Sequence, residues 1–195
     1  RKKGNMNAHR IVKAKRQIRI RDLLTHTSGI GYGYGPAKKK WEKAGIQGWY
    51  FAHRNEPILE TVKRMAKLPM EAHPGERYVY GYSTDILGAV IEIASGQPLD
   101  VFLQKRILNP LGMVDTHFYL PTSKASRLSV VYSQCGDKLI RAAEKGIPQF
   151  KWDDKEKCTG NNQTQGHYLN GPRRSFSGGA GLLSTSKDYA IFLQM

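Results

Sequence analysis

Apolar residues recur at helical spacing in several stretches, separated by glycine- and proline-rich breaks. In residues 18–27, Ile20, Leu23 and Leu24 predict a short helix with those three side chains inward. Ser28-Gly29 ends it, because glycine accepts the left-handed turn of a helix stop. In residues 57–68, Ile58, Val62, Met65 and Leu68 follow one another at spacings of four and three, giving a single apolar face. Pro57 fits the first turn of that helix and Pro69 stops it. Residues 83–95 give the clearest helix. Ser83 or Thr84 can cap it, and Asp85 suits its positive end. Ile86, Leu87, Ala89, Val90, Ile91, Ile93 and Ala94 leave almost no polar stripe, which predicts burial on most sides. Gly96 closes this helix. Pro98 opens another with Leu99, Phe102, Leu103 and Ile107 on one side, ending at Asn109-Pro110-Leu111-Gly112. A last helix is predicted after Ser184 as its cap, carrying Tyr189, Phe192 and Met195.

The breaks are as informative. Gly31-Tyr32-Gly33-Tyr34-Gly35-Pro36 is a loop, whose tyrosines either line a pocket or cover the core. His73-Pro74-Gly75 is a turn, and residues 77–80 form a short extended piece. Beyond Pro121 the pattern weakens. Val130, Val131 and Tyr132 suit a strand, and residues 149–172 read as a long polar excursion. Gly178-Gly179-Ala180-Gly181-Leu182-Leu183 predicts a strand or a close approach of two backbones. The chain is helix-rich.

Composition narrows the classes. A length of 195 residues with 39% hydrophobic residues is enough to bury a core, and excludes collagen, coiled coil and a wholly disordered chain. No run approaches the ~18 apolar residues of a membrane helix. Cys135 and Cys158 make no disulfide framework, and a single bridge between them stays open. The net charge is +15, and Arg1, Lys2, Lys3, Arg10, Lys13, Lys15, Arg16, Arg19 and Arg21 cluster at the start. Lys38, Lys39, Lys40 and Lys43 form a second group. Such runs are solvated faces or anion-binding surfaces. No aromatic-interleaved basic stripe or nucleic-acid motif accompanies them, so no nucleic-acid partner is expected. The first residue is Arg1, and residues 188–195 read as a helix still in progress, so an internal piece of a longer protein is expected.

Self-contained sites are missing from the pattern. There is no G-x-S-x-G elbow, H-E-x-x-H, P-loop or G-x-G-x-x-G opening a helix. His9, His26, His53, His73, His117 and His167 lack ligand spacing, so neither metal nor cofactor is expected. One S-x-x-K occurs, Ser184 to Lys187. It puts an ammonium on the serine's helix face. The same serine sits where a helix cap belongs, and capping is the reading adopted.

Four segments carry a resemblance. The run from Ile18 to Gly29, with Leu23-Leu24-Thr25-His26-Thr27-Ser28-Gly29, resembles a stretch of the serine β-lactamase-related hydrolases. The run from Pro74 to Gly88, with Tyr80-Gly81-Tyr82-Ser83-Thr84-Asp85, is similar to the second active-site segment of that family. Asn109-Pro110-Leu111-Gly112-Met113 before Asp115-Thr116 resembles its P-L-G-M-x-D-T turn, and Gly178 to Thr185 its G-G-A-G-L-x-S-T strand and cap. The four occur in the family's order over residues 14–195. The tyrosine-bearing loop points to the carboxylesterase branch (family VIII esterases and related acyltransferases), with class C β-lactamases and penicillin-binding carboxypeptidases as more distant relatives.

The resemblance implies an α+β, β-lactamase/transpeptidase-like fold, with a helical subdomain beside part of an antiparallel sheet flanked by helices. It implies that 1–195 is part of a single domain: a basic stretch (1–13), a mainly helical region (14–120), a loop-rich insertion (121–177), and a strand with a helix (178–195). It implies an acyl-enzyme mechanism on a small ester or amide, with Tyr80 as the proton-transferring residue and Tyr82 and Tyr32 as substrate-binding residues. Tyr82 stands where the penicillin-recognising relatives carry Asn, which favours esters. The family's nucleophilic S-x-x-K is expected upstream of Ile18, where residues 1–17 hold no serine, and its third motif beyond Met195. A non-catalytic ligand-binding relative and an anion-binding module are the alternatives.

Overall fold

In the computed structural model, which describes residues 10–48, 51–135, 138–141 and 166–195, short helices carry most of the regular structure. They are α1 (Ile20–Leu24), α2 (Lys38–Lys43), α3 (Ile58–Met65), α4 (Ser83–Ser95), α5 (Leu99–Leu103), α6 (Asn109–Leu111), α7 (Gly166–Asn170) and α8 (Ser186–Leu193). A π-helical turn (Gln104–Leu108) joins α5 to α6, and a 3-10 turn covers Thr122–Arg127. β1 (Tyr132–Cys135) and β2 (Lys138–Arg141) form an antiparallel pair with Tyr132 opposite Arg141 and Cys135 opposite Lys138. The chain divides into two units. The first holds Arg1–Trp49, Glu56–Leu99 and Ser177–Ala180; the second holds Tyr50–Asn55, Asp100–Phe176 and Gly181–Met195.

The core of the first unit is built from Leu23, Ile30, Trp41, Ile46, Ile58, Met65, Val79, Tyr82, Ala89 and Leu99. α3 buries Ile58 and Met65 as its spacing predicts, and Pro57 stands one place ahead of the first turn as its N-cap. α1 departs from expectation. Leu23 is buried, but Ile20 and Leu24 are 57% and 65% exposed. Its second buried residue is Asp22, which takes both nitrogens of the Arg16 guanidinium at 2.6 and 2.8 Å and the Arg19 N–H at 2.8 Å. A five-residue helix has one narrow buried stripe, and an ion pair occupies half of it. α2 was not foreseen, because it has no apolar period. One side chain, Trp41, anchors it, with its indole N–H donating to the Pro69 carbonyl at 3.0 Å.

α4 spans the predicted residues and ends at Gly96 with φ +67°. Two details differ. Its N-cap is Tyr82, since the Ser83 hydroxyl is engaged with that of Ser28 at 2.9 Å, both fully buried. Burial belongs to its first half (Ser83, Asp85, Gly88, Ala89), while Ile93 is 65% exposed. The glycine run takes the second of its two predicted forms at Gly178. A Cβ on Gly88 would lie 2.9 Å from the Gly178 nitrogen, and one on Gly178 would lie 2.4 Å from the Thr84 carbonyl oxygen. The two backbones touch where only glycines fit.

In the second unit, Phe51, Leu108, Met113, Phe118, Tyr119 and Leu120 are buried, and the Tyr119 hydroxyl lies 3.2 and 3.1 Å from the Ala52 and Ser175 carbonyls. The strand predicted at 178–183 reduces to one bridge, Leu183 with His117. Ser184 does not cap α8. Thr185 does, its hydroxyl accepting the Asp188 N–H at 3.2 Å, while the Ser184 hydroxyl meets that of Thr116 at 2.8 Å. Buried Asp188 also takes the Thr116 hydroxyl and the Asp115 N–H, each at 2.8 Å. Tyr189, Phe192 and Met195 are exposed. Of the strand expected at 130–132, only Tyr132 enters β1. Cys158, residues 1–9 and most of the 149–172 excursion lie outside the described residues; the described end of that excursion contains α7.

Candidate active site

Two stretches of the first unit are stitched together by their backbones. The carbonyls of His26, Thr27 and Gly29 accept the N–H groups of Val79, Gly75 and Glu71 at 2.8, 2.7 and 2.8 Å. Gly81 closes the contact. A Cβ there would stand 2.4 Å from the Ile30 carbonyl oxygen and 2.5 Å from Gly31, so no larger residue fits without displacing one strand of chain. This stitching brings the tyrosine loop beside Tyr80-Gly81-Tyr82, segments some fifty residues apart in sequence.

The result is a chain of aromatic rings running from the interior to the surface. Trp41 stacks on Tyr82 with centroids 5.8 Å apart and planes 15° apart. Tyr82 meets the edge of Tyr32 at 4.9 Å, Tyr32 meets the edge of Tyr80 at 5.7 Å, and Tyr80 meets His26 at 4.9 Å. Exposure increases along it. Tyr82 is fully buried, Tyr32 is half-buried and Tyr80 is 61% exposed. The three sequence-predicted residues are therefore adjacent.

Their surroundings differ in kind. The Tyr82 hydroxyl donates to the Gly48 carbonyl at 2.7 Å, and its ring is enclosed, so Tyr82 has no surface for a ligand. Its ring lies against that of Tyr32, and its phenol reaches across the interior to a backbone carbonyl. Burial pushes the Tyr32 phenol well above its ordinary range, and negative charge on Asp85 or Tyr80 adds to this, as does its hydroxyl-to-hydroxyl interaction with Tyr80. Tyr32 thus keeps its proton across the physiological range.

Behind the tyrosines lies Asp85, buried in the first turn of α4. It accepts a hydrogen bond from the Ser177 hydroxyl, and a Cβ on Gly179 would meet its carboxylate. Burial raises it to about 6, against the lowering effect of the Ser177 and backbone hydrogen bonds.

His26 was not singled out from the sequence. It is one of two described non-glycine residues with positive φ, at 52°, and its Nδ1 is buried with no hydrogen-bond partner. Backbone strain of this kind has no signature in composition or periodicity. Ser184 and Lys187, in the second unit, are both exposed, with no hydrogen bond between them. Among the described residues no three His, Cys, Asp or Glu side chains cluster as metal ligands, and no single helix is long and apolar enough to cross a membrane.

A family model named Beta-lactamase matches residues 9–195. An uncharacterized protein of Mycobacterium tuberculosis is 29% identical over 189 residues, covering 93% of this chain and 39% of that protein. Esterase EstB of Burkholderia gladioli is 35% identical over 116 residues, 59% of this chain and 29% of the esterase. Among solved structures, EstCE1, described as a hydrolase with promiscuous acyltransferase activity, superposes with a TM-score of 0.72 at 25% identity, over 91% of this chain and 45% of its own. The chain spans less than half the length of each.

Proposed function

The chain belongs to the β-lactamase family and shares its fold, and on that premise we propose that the protein is a serine hydrolase of the esterase type, acting on small esters through an acyl-enzyme. The observation that carries this reading is Tyr80: a surface phenol whose backbone neighbours are clamped on both sides and whose ring makes a T-shaped contact with Tyr32. The named esterase and the hydrolase with acyltransferase activity among its relatives support ester substrates, beside relatives named as an amidase and carboxypeptidases.

In this reading Tyr80 is the general base and acid. As a phenolate it takes the proton of a serine hydroxyl while the serine oxygen bonds to the acyl carbon. It then returns that proton to the departing alkoxide as the ester C–O bond breaks. Water repeats the sequence on the acyl-enzyme and releases the acid. A free phenol titrates near 10, so the base needs help at neutral pH. Tyr32, which stays protonated, sets its hydroxyl against that of Tyr80. The described partners of Tyr80 are aromatic rings and the Tyr32 hydroxyl, so the ammonium that assists the base comes, in this proposal, from a Ser-x-x-Lys outside the four family segments, together with the nucleophile. Tyr32 borders the substrate and Tyr82 holds Tyr32 in place.

A fluorophosphonate probe on the full-length protein tests this. The expected result is one labelled serine, distinct from Ser184, and hydrolysis of a short-chain p-nitrophenyl ester that Tyr80→Phe lowers by about 100-fold or more. Retained turnover in Tyr80→Phe excludes Tyr80 as the base. Absence of both label and turnover favours a ligand-binding relative without catalysis.

A further inference from the structure

His26 occupies a strained position with no role in the fold that its side chain explains. At φ 52° a β-carbon-bearing residue stands in the sparsely populated left-handed region, which glycine enters without steric cost. The imidazole makes no hydrogen bond at Nδ1. Its described ring contacts are Tyr80, at 4.9 Å between centroids with planes 37° apart, and Tyr78, at 5.8 Å with planes 54° apart. The backbone of the same residue accepts the Val79 N–H at 2.8 Å, between those two tyrosines. One strained residue thus holds the Tyr78–Tyr80 segment by its carbonyl and the Tyr80 ring by its side chain.

An exposed tyrosine without such a neighbour exchanges among staggered rotamers, whereas a proton-transferring group must be held within about 0.5 Å of its working position. Tyr32 limits Tyr80 from the interior side by an edge contact and a hydroxyl-to-hydroxyl interaction, which leave the ring's other side to His26. We propose that His26 is the positioning residue of Tyr80: its ring, rather than a proton on it, fixes the phenol in the orientation from which it reaches the reacting atoms. This rests on the assignment of Tyr80 as the base.

The backbone conformation makes the test discriminating. Asparagine accepts positive φ more readily than histidine but has no ring; phenylalanine keeps a ring but tolerates that φ less well. If His26 only shapes the turn, His26→Asn is harmless and His26→Phe is damaging. If His26 positions Tyr80, the order reverses. In the full-length protein, kcat and KM for a short-chain p-nitrophenyl ester are compared for the native protein, His26→Asn, His26→Phe and Tyr80→Phe. Ring resonances of tyrosines carrying 13C are recorded in parallel and assigned through Tyr80→Phe. The expected result is a kcat about tenfold or more lower in His26→Asn with KM within about twofold, partial recovery of at least about threefold in His26→Phe, and a displaced Tyr80 resonance in His26→Asn. Unchanged kcat in His26→Asn, an unmoved Tyr80 resonance, or a fall in Tm that accounts for the lost turnover overturns the positioning role while leaving Tyr80 as the base. Full turnover in Tyr80→Phe instead removes the base, and the positioning role with it.

Discussion

The Asp85 carboxyl accepts the Ser177 hydroxyl across ninety-two residues of sequence, inside the first unit and away from water. This bond ties the start of α4 to the glycine run that follows Ser177, and it belongs to a group that binds its proton more tightly when folded. A carboxyl at about 6 in the folded state and near 3.9 unfolded makes the folded form take up protons as pH falls from 6 to 4. Stability therefore declines as pH rises through that window, by about 3 kcal/mol at most. Asp85→Asn should flatten the dependence between pH 4 and 6, read from urea unfolding midpoints at fixed ionic strength. A native-like slope in the variant would assign the effect to another group.

Asp22 works in the opposite sense. Its hydrogen bonds with Arg16, then that from Arg19, hold its carboxyl down at about 2. Its contribution is complete above pH 4 and is lost as pH falls through about 2. Arg16→Gln should reduce this acid-side loss, leaving the part due to the Arg19 N–H, and leave the alkaline limb unchanged. The check is the same titration, extended below pH 4.

The Tyr82 hydroxyl is the buried partner of the Gly48 carbonyl, so Tyr82→Phe should cost about 1–3 kcal/mol, the penalty of leaving a buried acceptor unpaired. Because Tyr82 has no exposed surface, KM should change less than for Tyr32→Phe, which sits nearer the surface. A KM effect larger for Tyr82→Phe would return Tyr82 to direct substrate contact.

Gly81→Ala places a methyl within 2.4 Å of the Ile30 carbonyl oxygen and should destabilise by about 1–3 kcal/mol. Since the same contact sets the separation of Tyr80 from Tyr32, turnover should fall further than stability alone accounts for. Parallel measurement of Tm and kcat separates the two.

At α8, Thr185→Ala should cost about 1 kcal/mol through loss of the cap, and Ser184→Ala less, because Ser184 is exposed and its hydroxyl meets Thr116 and the Thr185 carbonyl rather than a free N–H of the helix. Equal losses would mean that the cap is shared.

Local chemistry was enough to mark α3 and α4, the stop at Gly96 and the loop at Gly31–Pro36, because apolar period, glycine and proline act within a turn or two of chain; Tyr80, Tyr82 and Tyr32 came forward only through the family resemblance. The motif order was enough to assign the family. Other features depended on partners far away. Trp41 makes a helix of a charged run because Pro69 receives its indole; Asp22 displaces Ile20 and Leu24 from the interior because Arg16 reaches it; Thr185 rather than Ser184 caps α8, where Ser184 bonds to Thr116. The burial of Tyr82, the raised proton affinity of Asp85 and the strained turn at His26 are likewise products of packing. Burial, electrostatic shifts and positive φ at a residue with a side chain arise from what surrounds an atom in space, and that neighbourhood is assembled only when segments fifty or ninety residues apart close on one another.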